Sequence, residues 1–210
     1  MNYALIHSGA YQPGRGLIGG NGQAIIGLEG LINWRRYPVL GGIDASQQSC
    51  AFWRSRIDDG GYWEAVVAGE EPPPPRPLKQ AAMEDMYDCL TDGSDAPDFI
   101  LTSKELFQAY RSMLQGQFMT QDRSVGNVPF DSLRLFGADV FWDHDVPADT
   151  MYFLNSNYLD FECEEGRDFV TSNFREPTNQ DSRCAYIFFK GQLCTNNRSR
   201  HGMICNVRPC

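Results

Sequence analysis

The chain has 210 residues, of which 42% are hydrophobic, and its formal net charge at pH 7 is −9. This length predicts one domain, which can be divided into two lobes. The excess of acidic residues argues against a dedicated nucleic-acid binder, because such proteins normally carry a basic face. No apolar run approaches the length of a membrane span, and residues 1–7 lack the basic start and apolar core of a signal peptide, so we expect no membrane partner.

Residues 1–23 are rich in glycine and contain one pattern that suggests a cofactor. Gly14–Gly19 matches the G-x-G-x-x-G pattern of dinucleotide-binding sites. Such a site needs the pattern between a strand and a helix, whose N-terminus then faces the pyrophosphate. Gly20, Asn21 and Gly22 follow directly, and a helix starts poorly on this composition. We therefore predict a flexible loop here, and no bound nucleotide or other cofactor.

Residues 24–57 alternate short apolar runs with turns. Ala24–Leu31 predicts either a helix or a strand. Pro38–Ile43 predicts a strand that ends in a tight glycine turn. After this turn, Phe52 and Trp53 are expected to pack as an aromatic pair against a sheet.

The segment 58–78 is predicted to be irregular. Pro72–Pro75 and Pro77 cannot occupy a helix interior or a central strand. They predict a stiff, extended connector that leads into the next helix. A proline-rich contact with a partner domain is the alternative interpretation of this run.

The middle of the chain carries the clearest periodic patterns. Apolar residues recur with helical spacing in two segments, and the Ser103 hydroxyl is a candidate N-cap for the second of them. Gly116 is predicted to end that helix. Short apolar runs bounded by polar or turn residues predict strands. The predicted helices span 79–91 and 104–115, and the predicted strands span 99–101, 133–142 (as one strand or two) and 151–154.

The segment 158–174 mixes acidic and aromatic residues. Glu162, Glu164, Glu165 and Asp168 carry the oxygen ligands that a hard cation prefers. They lack the tight, glycine-punctuated spacing of a calcium loop, however. We therefore favour a solvated edge or a subunit contact over a metal site, and we predict no metal ligands.

The C-terminal segment is predicted to contain two strands. Tyr186–Phe189 is a nearly continuous apolar run, which predicts a strand buried on both faces. Asn196 and Asn197 form a predicted turn into a second strand that ends at Ile204. Several basic residues near the C-terminus leave room for a local basic patch. These residues are Arg198, Arg200, His201 and Arg208.

The seven cysteines are an odd number and include no C-x-x-C pair. In a chain without a signal peptide, this predicts reduced thiols in a cytosol-like compartment and gives no support to a structural zinc site. Most of the cysteines are predicted to be buried as small hydrophobic residues. Cys210, at the terminus, is predicted to be exposed.

Asp143, His144 and Asp145 are the one local group that suggests chemistry. Carboxylates beside an imidazole can bind a metal or tune a general base. Consecutive residues on a strand or turn point in different directions, however, and His7 and His201 are distant in sequence. We favour an acidic surface turn. The absence of a G-x-S-x-G elbow also argues against a Ser/His/Asp hydrolase.

Three stretches, taken together, resemble a known family. Residues 97–114 contain a strand and helix introduced by D-x-I-x-T, and residues 133–159 contain F-G-A-D-V, an acidic turn and M-Y-F-L-N. Residues 177–204 contain N-Q-D, F-x-G-Q-L and N-R-x-R-x-G. In this order and spacing, they resemble the C-terminal part of tailed-phage major capsid proteins with the HK97-type fold. The resemblance extends over residues 24–207.

This resemblance implies a partial α+β fold of the HK97 type. It places residues 76–184 in the compact axial lobe around the capsomer axis. Residues 1–75 are then the glycine-rich N-terminal segment and part of the peripheral lobe, to which the strands of 185–210 return. Members of this family usually carry an N-terminal arm, an extended hairpin and a spine helix before the G-L-E-G-L-I phrase at 27–32. We therefore expect a fragment, a misassigned start, a prophage remnant or one part of a split coat protein.

The function that the resemblance implies is structural. Copies of the chain would form hexameric and pentameric capsomers, and these would assemble in the bacterial host cytoplasm into the icosahedral head shell of the virion. Scaffolding or decoration proteins are possible partners, and the packaged DNA would be contacted without sequence specificity. No catalytic, cofactor-binding or metal-binding residue is expected, and hence no enzyme activity.

Two alternatives come from other functional classes. The first is a soluble metal-dependent hydrolase that uses His144 with Asp143 and Asp145. The second is a monomeric interaction module in which the proline run at 72–75 makes the contact.

Overall fold

The computed structural model describes residues 25–118, 133–175 and 182–209, and two short strands ahead of them. Within these residues, no helix is both long enough and apolar enough to cross a membrane. The helices are α1 (Leu28–Ile32), α2 (Tyr62–Ala68), α3 (Gln80–Leu90) and α4 (Lys104–Phe118). The strands are β1 (Tyr11–Gln12), β2 (Gly16–Leu17), β3 (Val39–Leu40), β4 (Ile43–Asp44), β5 (Arg56–Asp58), β6 (Arg76–Pro77), β7 (Phe99–Thr102), β8 (Leu133–Leu135), β9 (Ala138–Trp142), β10 (Met151–Leu154), β11 (Leu159–Cys163), β12 (Val170–Thr171), β13 (Ile187–Phe188), β14 (Gly191–Thr195), β15 (Gly202–Ile204) and β16 (Val207–Arg208).

A mixed six-stranded sheet in the order β5-β15-β10-β7-β9-β8 forms the centre of the fold. Strand β10 pairs antiparallel with both β15 and β7, and all four of its residues are buried. Strands β7 and β9 run parallel, as do β15 and β5. Because β10 is covered on both faces, its sequence is an uninterrupted apolar run rather than an alternating one. The strands predicted at 99–101 and 151–154 are confirmed, and the run at 133–142 forms two strands.

The side chains of β10 alternate between two hydrophobic cores. Met151 and Phe153 join the core that α3 and α4 cover, whereas Tyr152 and Leu154 join the core that α1 covers. Both predicted helical stripes are confirmed, since their apolar residues lie in the first of these cores. The residues that α3 and α4 bury there are Met83, Met86, Tyr87, Leu90, Leu106, Phe107, Tyr110 and Leu114.

The start of α4 is the predicted one, but its end is not. The backbone N–H of Leu106 donates to the Ser103 hydroxyl at 3.4 Å, which is the expected N-cap contact. The helix continues through Gly116 to Phe118, so the predicted stop at Gly116 is wrong. A glycine inside a helix costs only about 1 kcal/mol relative to alanine, which three upstream turns of buried helix can offset.

The strand β15 depends on a glycine at the point where it meets α3. A Cβ atom at Gly202 would lie 2.8 Å from Cδ1 of Leu90 and 2.9 Å from Sδ of Met86. It would also lie 3.2 Å from the carbonyl oxygen of Arg56 on the neighbouring strand. Only a residue without a side chain lets the sheet and the helix approach this closely.

The helix α2 corrects the prediction that 58–78 is irregular throughout. The Asp59 carboxylate accepts hydrogen bonds from the backbone N–H groups of Gly61 and Trp63, each at 3.1 Å. Gly61 has φ of +85°, which a glycine adopts without strain. These contacts satisfy two free N–H groups at the start of the helix. A helix of seven residues is stabilised by contacts at its start more than by an apolar face. Its sequence therefore shows little of the helical periodicity on which the prediction relied.

The other predictions for the N-terminal half have mixed outcomes. Gly41 and Gly42 form the predicted tight turn, with φ of +59° and +81°. Pro72–Pro75 has no regular secondary structure, as predicted. The prediction that Phe52 and Trp53 pack on a sheet is wrong for Phe52, which is 67% exposed. Both residues lie in a short 3-10 segment rather than opposite a strand.

The central sheet combines strands from all three predicted segments of the chain. Strand β5 comes from the first segment, β7 to β10 from the second, and β15 from the third. The predicted division at residues 76 and 184 stays a prediction, because no lobe boundary follows from these pairings.

Candidate assembly surface

The group at Asp143 to Asp145 forms a turn at the end of β9. The N–H of Asp145 donates to the Asp143 carboxylate at 2.9 Å, and the N–H of Asp143 donates to the Thr102 carbonyl at 3.1 Å. His144 is exposed. These are the contacts of a side-chain-stabilised turn, as predicted. Within 25–118, 133–175 and 182–209, no three His, Cys, Asp or Glu side chains are grouped to hold a metal ion.

Most of the Gly14–Gly19 pattern lies outside the described residues, so the predicted loop there stays a prediction. The same holds for the expectation that the chain has no catalytic, cofactor-binding or metal-binding residue.

The basic residues near the C-terminus, for which the sequence left a local patch open, do not share one surface, because two of them are buried. Arg198 is fully buried, and its guanidinium donates to the carbonyl oxygens of Gly30 at 3.2 Å and Tyr37 at 3.1 Å. Burial lowers the pKa of Arg198 to about 9. The side chain ties the end of α1 to the C-terminal strands. His201 is also fully buried, in contact with Asn155 and Thr195.

A groove of about 640 Å³ lies between α1, α2 and the sheet. Four of its charged groups are paired with each other: Arg35 pairs with Asp59 at 2.7 Å, and Arg36 pairs with Glu29 at 2.8 Å. Asp59 also holds the start of α2, as described above. Tyr62, Trp63 and Val66 contribute an apolar wall. The lining contains no histidine, so this groove lacks the usual residue for acid–base chemistry near neutral pH.

A long antiparallel hairpin forms a separate exposed surface, which we call the ribbon and define as residues 159–175 and 182–195. Strand β11 pairs with β14, β12 pairs with β13, and Arg175 pairs with Cys184 in an isolated bridge. Almost all of its side chains beyond the root are at least partly exposed. A two-stranded hairpin exposed on both faces is marginally stable alone in water.

The ribbon overturns the prediction that Tyr186–Phe189 is buried on both faces. Tyr186 is 62% exposed and Ile187 is 69% exposed. Among the described strands, β13 pairs with β12, and neither forms part of the central sheet. An apolar run identifies residues that avoid water, but it does not say whether the covering layer belongs to the same chain.

One face of the ribbon near its root is aromatic and the other is acidic. Phe161 and Phe189 stack at 6.0 Å between ring centroids, and Phe169 stacks on Phe189 at 4.6 Å. Because side chains alternate along β11, Asp160 and Glu162 project from the face opposite Phe161. Both carboxylates are on exposed residues. The interpretation of 158–174 as a solvated edge or subunit contact agrees with this exposure, and the subunit contact stays a prediction.

A polar network holds the root of the ribbon to the corner between α3 and β7. The Asp95 carboxylate accepts from the Tyr158 hydroxyl at 2.6 Å and from the Asn155 amide at 2.7 Å. These two hydrogen bonds hold the pKa of Asp95 below its ordinary value. The backbone N–H of Ser156 donates to Asp98 at 2.8 Å. The direction in which the ribbon leaves the sheet is therefore set by several contacts.

His201 lies beneath this root and is held as a neutral side chain. Its Nδ1 accepts from the N–H of Asn155 at 3.4 Å, and its Nε2 lies 3.2 Å from the Thr195 hydroxyl. Burial lowers the pKa of His201 to about 4, and a hydrogen bond with the backbone of Tyr158 and the attraction of Asp98 oppose this shift only in part. A protonated His201 would therefore destabilise the root.

We expect this burial to make the protein less stable as the pH falls from about 6.5 to about 4. An unfolded histidine binds its proton near pH 6.5 and the folded one near pH 4, so the unfolded state binds more protons in between. Across this pH range, the titration of His201 lowers the free energy of unfolding by ~3 kcal/mol. Urea denaturation at several pH values measures it.

The control for this measurement separates His201 from the carboxylates, which also titrate in this range. The variant His201→Gln should show a shallower dependence of unfolding free energy on pH. The variant His144→Gln, at an exposed turn, should keep the dependence of the unchanged protein. Equal slopes in all three proteins would contradict the expectation.

The cysteines differ from the expectation of burial. All six described cysteines are free thiols. Cys89, Cys163 and Cys184 are exposed, and Cys50, Cys194 and Cys205 are partly exposed. The exposed members include two on the ribbon, which has few residues behind it to cover them.

Comparisons with known proteins place the fold in a structural class. No protein-family model matches the chain, and no curated protein matches it. Among solved structures, a chain of the "Cyanophage A-1(L) capsid asymmetric unit" matches over 98% of this chain with a TM-score of 0.64 and 19% sequence identity. The matched region is 64% of that chain, so this chain spans less than two thirds of its length. The fold is that of a phage capsid chain.

Proposed function

We propose that this chain is a structural phage capsid protein that associates with copies of itself. The shared fold with a cyanophage capsid chain is the observation that carries this proposal. The ribbon supports this proposal, because a hairpin that exposes apolar side chains to water is a surface suited to a subunit contact. Among the described residues, no group of His, Cys, Asp and Glu side chains is arranged to hold a metal ion. The alternative of a metal-dependent hydrolase that uses His144 therefore has no support.

The finer parts of the proposal follow from the resemblance to the HK97 type. Copies would form pentameric and hexameric capsomers and then an icosahedral shell around the phage genome, in the host cytoplasm. The region 76–184 would form the axial lobe, and the flanking regions would belong to the peripheral lobe. Weak contacts repeated around closed rings accumulate, so no single contact has to be strong. Scaffolding or decoration proteins are further candidate partners.

The test is the size of the purified chain as its concentration is raised. We expect sedimentation velocity to show species larger than the monomer, and electron microscopy to show rings or shells. A monodisperse monomer at the highest attainable concentration would overturn the proposal. Elemental analysis of the same sample distinguishes the hydrolase, since a stoichiometric metal that is lost in His144→Ala would favour the enzyme.

A further inference from the structure

A second surface of this chain is basic and therefore opposite in charge to the acidic face of the ribbon. A groove of about 300 Å³ lies at the β5 edge of the sheet, and its lining includes three arginines but no Asp or Glu. We call it the arginine groove. Its lining residues are Trp34, Arg35, Arg54, Ser55, Arg56, Ile57, Cys89, Leu90 and Ser199.

The three arginines of the groove differ in whether a carboxylate balances their charge. Arg35 is paired with Asp59, and its charge is therefore balanced. Arg54 stacks over the Trp34 ring at 4.8 Å and donates to the carbonyl oxygens of Ala45 and Ser46, which are neutral acceptors. The exposed Arg56 has no carboxylate within ion-pair distance among the described residues. The groove thus presents two unbalanced positive charges beside an aromatic ring.

The acidic face of the ribbon is the complementary surface. Asp160 and Glu162 are exposed and form no ion pair within the described residues, whereas the nearby Glu164 is paired with Lys190 at 2.5 Å. Carboxylates match the planar guanidinium group, which can form two parallel hydrogen bonds with one carboxylate. The groove therefore has arginines without a carboxylate partner, and the ribbon has carboxylates without a basic partner.

We infer that the arginine groove of one copy receives the acidic face of the ribbon of a second copy. The inference rests on the proposed function, since it names the surfaces that join neighbouring copies. No contact links Asp160 or Glu162 to the groove within the described part of one chain. Because the two surfaces are different parts of the same chain, the contact is head-to-tail, and such contacts close into rings when the rotation between copies allows it.

The dimensions of the groove favour a protein partner over nucleic acid. A volume of about 300 Å³ accepts one or two side chains. Duplex DNA is instead bound by a basic surface that neutralises several successive phosphates. The chain as a whole has a net charge of −9, so two copies repel each other at longer range and the attraction between them has to come from these local charges. Its acidic charge also repels a nucleic acid at longer range.

Charge reversal on both sides tests this pairing. The three proteins to compare with the unchanged chain are Arg56→Glu, Glu162→Arg and the combination of the two. Arg56 is chosen over Arg54 because the Arg54 side chain holds the backbone at 45–47. Glu71→Arg is the control for Glu162→Arg, since it makes the same change of charge at an exposed residue outside both surfaces.

Each single reversal should raise the concentration at which half of the protein is assembled by about tenfold, because it places like charges together. The combination should return it to within about threefold of the unchanged chain, and Glu71→Arg should leave it unchanged. Sedimentation velocity over a concentration series measures all four. Circular dichroism spectra confirm that each variant is folded.

Four results would overturn the inference. Single reversals that assemble like the unchanged chain would remove this contact while leaving the proposed function standing. The same holds if the combination assembles as poorly as the single variants. Duplex DNA binding that is lost in Arg56→Glu without a change in assembly would reassign the groove to nucleic acid. An unchanged chain that stays monomeric would overturn both this inference and the proposed function.

Discussion

Replacing Phe153 with alanine is expected to lower the free energy of unfolding by about 4 kcal/mol. Phe153 lies on the central strand β10, is fully buried, and packs in the core beneath α3 and α4. The cost combines the lost burial of the ring with the cavity that remains, because neighbours on a hydrogen-bonded strand cannot collapse into it. Urea denaturation followed by circular dichroism gives the unfolding free energy.

The chain contains a matched control for this substitution. Phe52→Ala removes the same ring from a residue that is 67% exposed, and the expected change is within about 0.5 kcal/mol. Since small domains are stable by only about 5–15 kcal/mol, the Phe153 variant should lose a large share of its stability. Similar midpoints for the two variants would contradict the position of β10 at the centre of the fold.

Replacing Tyr186 and Ile187 together with serine is expected to weaken assembly about a hundredfold while leaving the fold intact. Both side chains are more than half exposed in the single chain, so their removal should change the unfolding free energy by less than about 0.5 kcal/mol. In an assembly, a few residues that become buried between subunits contribute most of the binding energy, and tyrosine is frequent among them. A concentration series in the analytical ultracentrifuge measures the effect.

A comparable apolar residue elsewhere provides the control for this variant. Val67 lies on α2 and is 73% exposed, so Val67→Ser removes an equally accessible apolar side chain outside the ribbon. It should leave assembly unchanged if the ribbon is the contact surface. Equal weakening by Val67→Ser, or unchanged assembly in the double variant, would contradict the assignment of the ribbon as a subunit contact.

The elements that the sequence predicted correctly are those whose causes are local. The helix α3 and most of α4 follow from apolar side chains at helical spacing, and α4 begins where Ser103 offers its hydroxyl. Strand β10 follows from a short apolar run bounded by turns. These patterns concern residues within one or two turns of each other, so they are visible without knowledge of the remaining chain.

The errors concern properties that depend on distant residues. Tyr186–Phe189 is as apolar as β10, yet β10 lies between two paired strands and β13 lies outside the sheet. Arg198 and His201 have the composition of a surface patch, but the carbonyls of Gly30 and Tyr37 and the backbone at Asn155 enclose them. In both cases, burial or exposure depends on which distant segments of the chain pack against these residues.

The sequence by itself determined the local elements, the acidic turn at Asp143 to Asp145 and, through its resemblance to capsid proteins, the class of fold. The tertiary structure decided which apolar residues are covered and which remain exposed on the ribbon. It also decided which arginines are enclosed and which line a groove. The physical reason is that periodicity records the local surroundings of a residue, whereas burial and charge balance depend on segments that meet only after the chain has folded.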